Sequence, residues 1–235
     1  MRAAIALAAA ALLAAPAMAA NNPRTGRAFV LSGATGAPLR TLMAPDPINE
    51  ALFGLSVAGV GDVNGDTIPD LAVGAPGVNA LGVSRSGRAY LFSGADGSLI
   101  RAIDPPAPDG GARFGFVVAA TGDLDGDGAG DLVVGAPKAR SQGVGRTGEA
   151  YFISGMAGTS LEILRMPVPQ KGARFAFSAA SGRDVTGDGV TDIMLGAPSE
   201  NVAPPNSSKR ANQGRVYVFS GQANCLGVDP LFTRF

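Results

Sequence analysis

The chain has 235 residues, in which 19 Lys and Arg balance 19 Asp and Glu, with no histidine, no tryptophan and one cysteine. Without histidine, zinc sites of the usual type, a His-based triad and imidazole acid/base chemistry are excluded. The 34 glycines and 17 prolines, beside plentiful Val, Leu, Ile and Phe, indicate a turn-rich all-β domain and not disorder.

Residues 1–20 read as a signal peptide, with a basic start at Arg2, an apolar stretch from Ala3 to Ala15 and a small-x-small ending at Ala17-Met18-Ala19. A membrane anchor fits less well, because the apolar run falls short of the ~20 residues a span requires. No later stretch is long or apolar enough for a membrane span. Residues 21–235 then form one domain with a sizeable core. Export favours disulfides, yet Cys225 stands alone. Stability is therefore expected from packing, bound ions or association.

A repeat fixes the architecture. "FGLSVAGVGDVNGDTIPDLAVGAPG" starts at Phe53, "FGFVVAATGDLDGDGAGDLVVGAPK" at Phe114 and "FAFSAASGRDVTGDGVTDIMLGAPS" at Phe175, 61 residues apart both times. A second element keeps the period: "GRAFVLSG" at Gly26, "GRAYLFSG" at Gly87 and "GEAYFISG" at Gly148. Its fourth copy, "GRVYVFSG" at Gly214, arrives five residues late after a longer loop. Within one period the patterning predicts strands at Phe53–Val60, Asp70–Ala75, Arg88–Ser93 and Ser98–Ile103. "SGADGS" makes the tight turn between the last two, and "GAP" ends the second, since proline cannot extend a ladder.

Four antiparallel strands per unit is the plan of a propeller blade. Small residues in "SVAGVG", "VVAATG" and "SAASGR" suit an innermost strand. "LAVGA", "LVVGA" and "IMLGA" are apolar on both faces, as strands sandwiched between blades should be. A β-helix is the alternative, but its repeats are usually much shorter. The expected fold is all-β: β-propeller-type blades of four antiparallel strands, about three complete units plus an extra N-terminal strand or two at Gly26–Met43, hence a partial or open propeller.

Each unit carries an acidic loop between its first two strands. Oxygen-bearing side chains occupy positions one, three, five and nine: Asp62, Asn64, Asp66 and Asp70; Asp123, Asp125, Asp127 and Asp131; Asp184, Thr186, Asp188 and Asp192. Glycine at position four permits the tight wrap around an ion. Ca²⁺ takes about 6–8 oxygens, so a backbone carbonyl at position seven (Ile68, Ala129, Val190) and water would complete each site. Ten of the nineteen acids lie in these loops, and without an ion they would repel. An EF-hand needs a glutamate at position twelve; Val73, Val134 and Leu195 stand there, so each loop must run straight into its second strand. Up to three Ca²⁺ ions are expected, held most weakly by the third loop, where Thr186 and the adjacent Arg183 lower the negative charge.

Phe53-Gly54 and Phe114-Gly115, the acidic loops, and the "GAP" at Gly74–Pro76, Gly135–Pro137 and Gly196–Pro198 together resemble the FG-GAP repeat. That repeat builds the N-terminal propeller of integrin α-chains and occurs in many exported bacterial proteins. The third copy departs, with Phe175-Ala176. The resemblance implies calcium in the acidic loops and a role in protein or glycan binding, with cell adhesion among the options. Integrin-type propellers have seven blades, so this chain is a fragment, an open arc or half of a dimeric ring, and self-association to close the ring is an option. No Asp-x-Ser-x-Ser stretch suggests an inserted adhesion domain.

The loops after "GAP" carry Arg85, then Lys138, Arg140 and Arg146, then Lys209 and Arg210. These read as ordinary loop charge or, if gathered on one rim, as a surface for an anionic partner such as a polysaccharide. "GARF" at Arg113 and Arg174 reads as packing and turn chemistry. Glu149 and Glu162 stand apart and are expected to face solvent. No catalytic residue emerges, and a non-enzymatic module is expected. The alternative is an accessory or cryptic hydrolase domain of the phospholipase D-associated kind. Partners are expected to be extracellular or surface proteins or polysaccharides, not nucleic acid, and the location secreted, periplasmic or cell-surface.

Overall fold

The computed structural model describes residues 25–46, 48–182, 184–185, 187, 191–201 and 212–220. Residues 1–20, expected to be a signal peptide, and Arg183, Thr186, Asp188, Val190, Lys209, Arg210 and Cys225 lie outside them. Four antiparallel sheets make up the described chain. The first pairs β1 (Ala28–Leu31) with β2 (Pro38–Leu42). The second runs β3 (Ser56–Gly61), β4 (Asp70–Ala75), β5 (Arg88–Phe92) and β6 (Leu99–Ile103) in sequence order. The third repeats it with β7 (Val117–Gly122), β8 (Asp131–Ala136), β9 (Glu149–Ile153) and β10 (Ser160–Leu164). The fourth holds β11 (Ser178–Ser181), β12 (Ile193–Ala197) and β13 (Arg215–Phe219). These are propeller blades in an open arc, and a β-helix is excluded by the antiparallel, four-stranded repeat.

The inner strands are the small-residue ones, as the sequence implied: β7 lies beside both β3 and β11. Of the strands expected between blades, β8 is buried on both faces along its whole length and β4 at every residue but Leu71, whereas β12 alternates, with Met194 and Gly196 half-buried. Strand one starts three residues later than predicted, at Ser56 and not at Phe53. The cause is the phenylalanine. Phe53, Phe114 and Phe175 leave the ladder to plug the interior, and their N–H groups donate to the carbonyls of Thr25, Ser86 and Thr147 at 3.1, 2.8 and 2.7 Å.

Each plugged phenylalanine lies against the tyrosine of its own blade's third strand. Ring centroids are 5.6 Å apart for Phe53–Tyr90, 5.2 Å for Phe114–Tyr151 and 5.3 Å for Phe175–Tyr217. Three apolar clusters result, one centred on each phenylalanine and filling the space between adjacent sheets. The glycine that opens each third strand permits this. Gly87 has φ +92°, and a Cβ there would stand 2.0 Å from the Phe114 carbonyl oxygen; Gly148 repeats the contact with Phe175. Only glycine allows both the left-handed backbone and that approach.

Glu149 does not face solvent. It is buried in β9, where the Tyr151 hydroxyl donates to its Oε2 at 2.6 Å and Arg165 Nε donates to its Oε1 at 2.8 Å. One period earlier the charges are exchanged: Arg88 occupies the position of Glu149 and Asp104 that of Arg165. There Arg88 donates to both Asp104 oxygens, at 2.6 and 3.0 Å. In the last blade Glu200, from the loop after "GAP", pairs with Arg215 and accepts the Tyr217 hydroxyl at 2.7 Å. Burial, reinforced by the neighbouring carboxylate, raises the proton affinity of Tyr151 and Tyr217. Glu149→Arg alone is expected to cost about 2 kcal/mol, and adding Arg165→Asp should recover at least half of it. Urea unfolding of the two single variants and the double variant would measure that coupling.

Candidate metal centre

The acidic loops sit at the rim where strand one turns into strand two. Each is shaped from within by its first aspartate. Asp62 Oδ1 accepts the N–H groups of Asn64, Gly65 and Asp66 at 3.2, 2.7 and 3.2 Å, and Oδ2 accepts that of Thr67 at 2.7 Å. Desolvation, the largest single influence, opposes these four bonds, yet together they hold the Asp62 carboxyl below the usual range. Asp123 repeats the pattern with Gly126 at 2.7 Å and Gly128 at 3.0 Å, and Asp184 accepts from Gly187 at 2.5 Å.

Position nine plays a different part, which the sequence pattern does not distinguish. Asp70, Asp131 and Asp192 are fully buried. Asp70 accepts from Val63 and Gly94, both at 2.9 Å. Asp131 accepts from Leu124 at 2.6 Å and Gly155 at 3.0 Å, and Asp192 accepts from Val185 at 2.7 Å. In the two four-stranded blades the ninth residue thus fastens the loop to the turn between strands three and four. A carboxylate oxygen has two acceptor directions, so this role leaves room for an ion.

The second loop gathers its acids most closely. One carboxylate oxygen each from Asp123, Asp125 and Asp131 lies within 4.8 Å of the others. Two oxygens on opposite sides of a Ca²⁺ ion, each at ~2.4 Å, stand ~4.8 Å apart, so the trio fits one coordination sphere. Asp127 is outside that trio; its Oδ1 accepts from the Ala129 N–H at 2.8 Å and its Oδ2 from the Ser154 hydroxyl at 3.4 Å. Burial raises the proton affinity of Asp131, the N–H groups of Gly155 and Leu124 oppose this, and the charges of Asp125 and Asp127 add to it. A divalent cation would relieve both the desolvation and the repulsion.

Asp62, Asp66 and Asp70 of the first loop do not meet as closely; Asn64 Nδ2 donates to Asp66 Oδ2 at 3.1 Å, and Ile68 donates its N–H to Asp66 Oδ1 at 2.8 Å. Among the described residues no other trio of acids converges so tightly. Neighbouring loops also touch, since the Gly130 N–H donates to the Asp62 carbonyl at 3.3 Å. Val73, Val134 and Leu195, at the twelfth position, lie buried in β4, β8 and β12, and strands β4 and β8 begin on the ninth residue itself.

Blades in an open arc, each with an acidic loop leading directly into its second strand, define a β-propeller of the repeat type. The chain belongs to the FG-GAP repeat family, whose pattern matches residues 53–92, 114–153 and 175–219. It is 35% identical to integrin alpha-IIb of Homo sapiens over 161 residues, covering 63% of this chain and 15% of that protein. It is 34% identical to integrin alpha-2 of Mus musculus over 150 residues, covering 58% of this chain and 12% of that one. The matched region is therefore a small part of these relatives. Among solved structures, rhamnogalacturonan lyase YesW superposes with a TM-score of 0.44 at 14% identity, covering 74% of this chain and 33% of that one. No helix among the described residues is long and apolar enough to cross a membrane.

Proposed function

We propose that this chain is an exported, calcium-binding, non-enzymatic propeller module that presents a rigid surface to extracellular protein or glycan partners. The observation carrying the proposal is the convergence of Asp123, Asp125 and Asp131 in a loop that recurs in phase with every blade. Asp62, Asn64, Asp66, Asp70 and the Ile68 carbonyl would hold a second ion. Asp184, Thr186, Asp188, Asp192 and the Val190 carbonyl would hold a third, and Asp127 and the Ala129 carbonyl would complete the central site. In this reading calcium cross-braces loops and turns, leaving the acids no role as proton donors or acceptors.

Extracellular modules commonly bind calcium at ~10⁻⁴–10⁻³ M. A hundredfold excess over the dissociation constant stabilises by about 2.7 kcal/mol per site, which raises the Tm by roughly 5–10 °C for a domain of this size. Calorimetry of the full chain in 10 mM calcium and in chelator should show that gap at pH 7. It should narrow at acid pH. Asp131 binds its proton more tightly in the folded, calcium-free chain than when unfolded. Its contribution to calcium-free stability is full below the ordinary aspartate value of 3.8 and disappears as pH rises through the raised folded value. Acidification therefore favours the chelated form while protons displace the ion. Identical melting with and without calcium at pH 7 would refute the proposal.

A further inference from the structure

Strand directions give the arc two unlike rims. Strands one and three run toward the acidic loops; strands two and four run away from them, toward the loops after "GAP" and the connections between blades. Arginine recurs on that second rim in register. Arg85 and Arg146 are 61 residues apart, and so are Arg113 and Arg174. The backbone brings them together in pairs across each junction between blades. The Arg113 N–H donates to the Arg85 carbonyl at 3.2 Å, and Phe175, next to Arg174, donates to Thr147, next to Arg146, at 2.7 Å. Lys138 joins the row because its N–H donates to the Ala112 carbonyl at 3.1 Å.

All four arginines adopt left-handed backbone, with φ of 49°, 64°, 56° and 59° in chain order. Leu52 takes the same conformation at the position of Arg113 and Arg174 in the first blade, with φ of 56°. The turn thus demands the conformation but not the charge. Glycine or asparagine would satisfy it with less strain, yet arginine stands there in two blades. Arg85 is answered by Glu50 at 2.5 Å, and Arg140 donates its backbone N–H to Asp109 Oδ2 at 2.9 Å, with its Nε 4.0 Å from Oδ1. Arg113, Lys138, Arg146 and Arg174 have no carboxylate partner among the described residues. Burial and the charges of Arg113, Arg146, Arg174 and Arg85 together lower the Lys138 pKa, which places the five cations in one field.

Aromatic rings adjoin this row. The Phe116 N–H donates to the Arg113 carbonyl at 3.1 Å and the Phe177 N–H to the Arg174 carbonyl at 3.2 Å. The two rings meet across the blade junction with centroids 4.9 Å apart, and Phe177 keeps 38% of its surface exposed. Solvent thus reaches an apolar aromatic face whose backbone is tied directly to that of Arg113 and Arg174.

We infer that this rim binds an acidic polysaccharide, its carboxylate or sulfate groups held by Arg113, Arg146, Arg174 and Lys138 and a sugar ring laid on the Phe116–Phe177 pair. The inference rests on the binding-module reading above and supplies its ligand class. Guanidinium forks match carboxylate and sulfate oxygens two at a time. A row crossing successive blade junctions suits a repeating anion better than a single small one. The aromatic pair offers the apolar faces of pyranose rings a surface that a plain polyanion cannot use.

The test is affinity electrophoresis and calorimetry of the full chain in calcium. The probes are hyaluronan oligosaccharides (carboxylated), dextran sulfate (sulfated), neutral dextran, polyglutamate and single-stranded DNA. Expected is salt-sensitive binding to one or both acidic polysaccharides, and at least tenfold weaker binding to polyglutamate, DNA and neutral dextran. The first two probes tell carboxylate from sulfate recognition. Arg113→Asn with Arg174→Asn, which keeps the left-handed turns, should weaken binding at least tenfold. Phe177→Ala should weaken polysaccharide binding and leave polyglutamate unchanged, and Arg140→Gln should change neither. Unaltered polysaccharide affinity in the folded Arg113/Arg174 variant would overturn the inference. So would failure of both acidic polysaccharides to bind, or equal affinity for DNA or polyglutamate. Melting curves with and without calcium on the same samples keep this inference separable: a normal calcium response without polysaccharide binding sinks only the ligand assignment.

Discussion

Phe114→Ala is expected to destabilise the chain by about 3–5 kcal/mol, the cost of emptying a well-packed aromatic site. The side chain is wholly buried and lies edge-on to Tyr151. It sits in the cluster that joins the two four-stranded blades, with Leu91 and Ile103 from one and Leu132, Val134 and Ile153 from the other. Collapse cannot fill the hole, because the backbone around it is already fastened. The Phe114 N–H is bonded to Ser86, and the Phe114 carbonyl lies against Gly87 at a distance no Cβ would tolerate. Phe114→Leu keeps much of the volume and should cost clearly less. Urea unfolding followed by circular dichroism measures both; a loss under 1 kcal/mol for the alanine variant would mean that the blades do not depend on this plug.

The same phenylalanine shows what a sequence can disclose about such a molecule. Each blade reuses one set of contacts, so the residues making them keep phase at 61-residue intervals, and the repeat, the strands and their order follow from the text alone. Phe53 heads an alternating apolar pattern, which extends the sequence-based strand one back to it; a plug and a strand residue look alike when both are apolar. Glu149 failed differently. A lone glutamate has no periodicity, and its burial becomes legible only when Arg88 and Asp104 are set against Glu149 and Arg165, where an exchange of charges betrays a contact. The site divides along the same line. Its acids and their spacing are legible, but the special standing of position nine depends on N–H groups of Gly94 and Gly155, which read as ordinary turn glycines although a Cβ at either would stand 1.9 Å from a carbonyl oxygen. The Phe116–Phe177 contact crosses a blade junction and leaves no trace in either repeat read singly.

Asp131→Ala and Asp125→Ala should separate structural support from ion binding within a single loop. In chelator, Asp131→Ala is expected to destabilise by about 2 kcal/mol. It strands the Leu124 and Gly155 N–H groups, each worth ~1–3 kcal/mol when left unsatisfied, and the relief of burying and crowding one charge returns part of that loss. Asp125→Ala removes an exposed carboxylate that accepts one bond from Asp127 within the loop and adds to the repulsion on Asp131, so without calcium its effect should lie within about 0.5 kcal/mol of zero. In calcium the order of effects changes, because Asp125→Ala forfeits the stabilisation of the central site, about 2.7 kcal/mol at a hundredfold excess of ion. Asp131→Ala forfeits that and its hydrogen bonds together, so its total deficit in calcium approaches about 5 kcal/mol. Melting the chain and both variants with and without the ion gives all the comparisons. If Asp125→Ala melts with an undiminished calcium response, the second loop is not where the ion acts. If Asp131→Ala is silent in chelator, the bonds to Leu124 and Gly155 do not hold the loop to its turn.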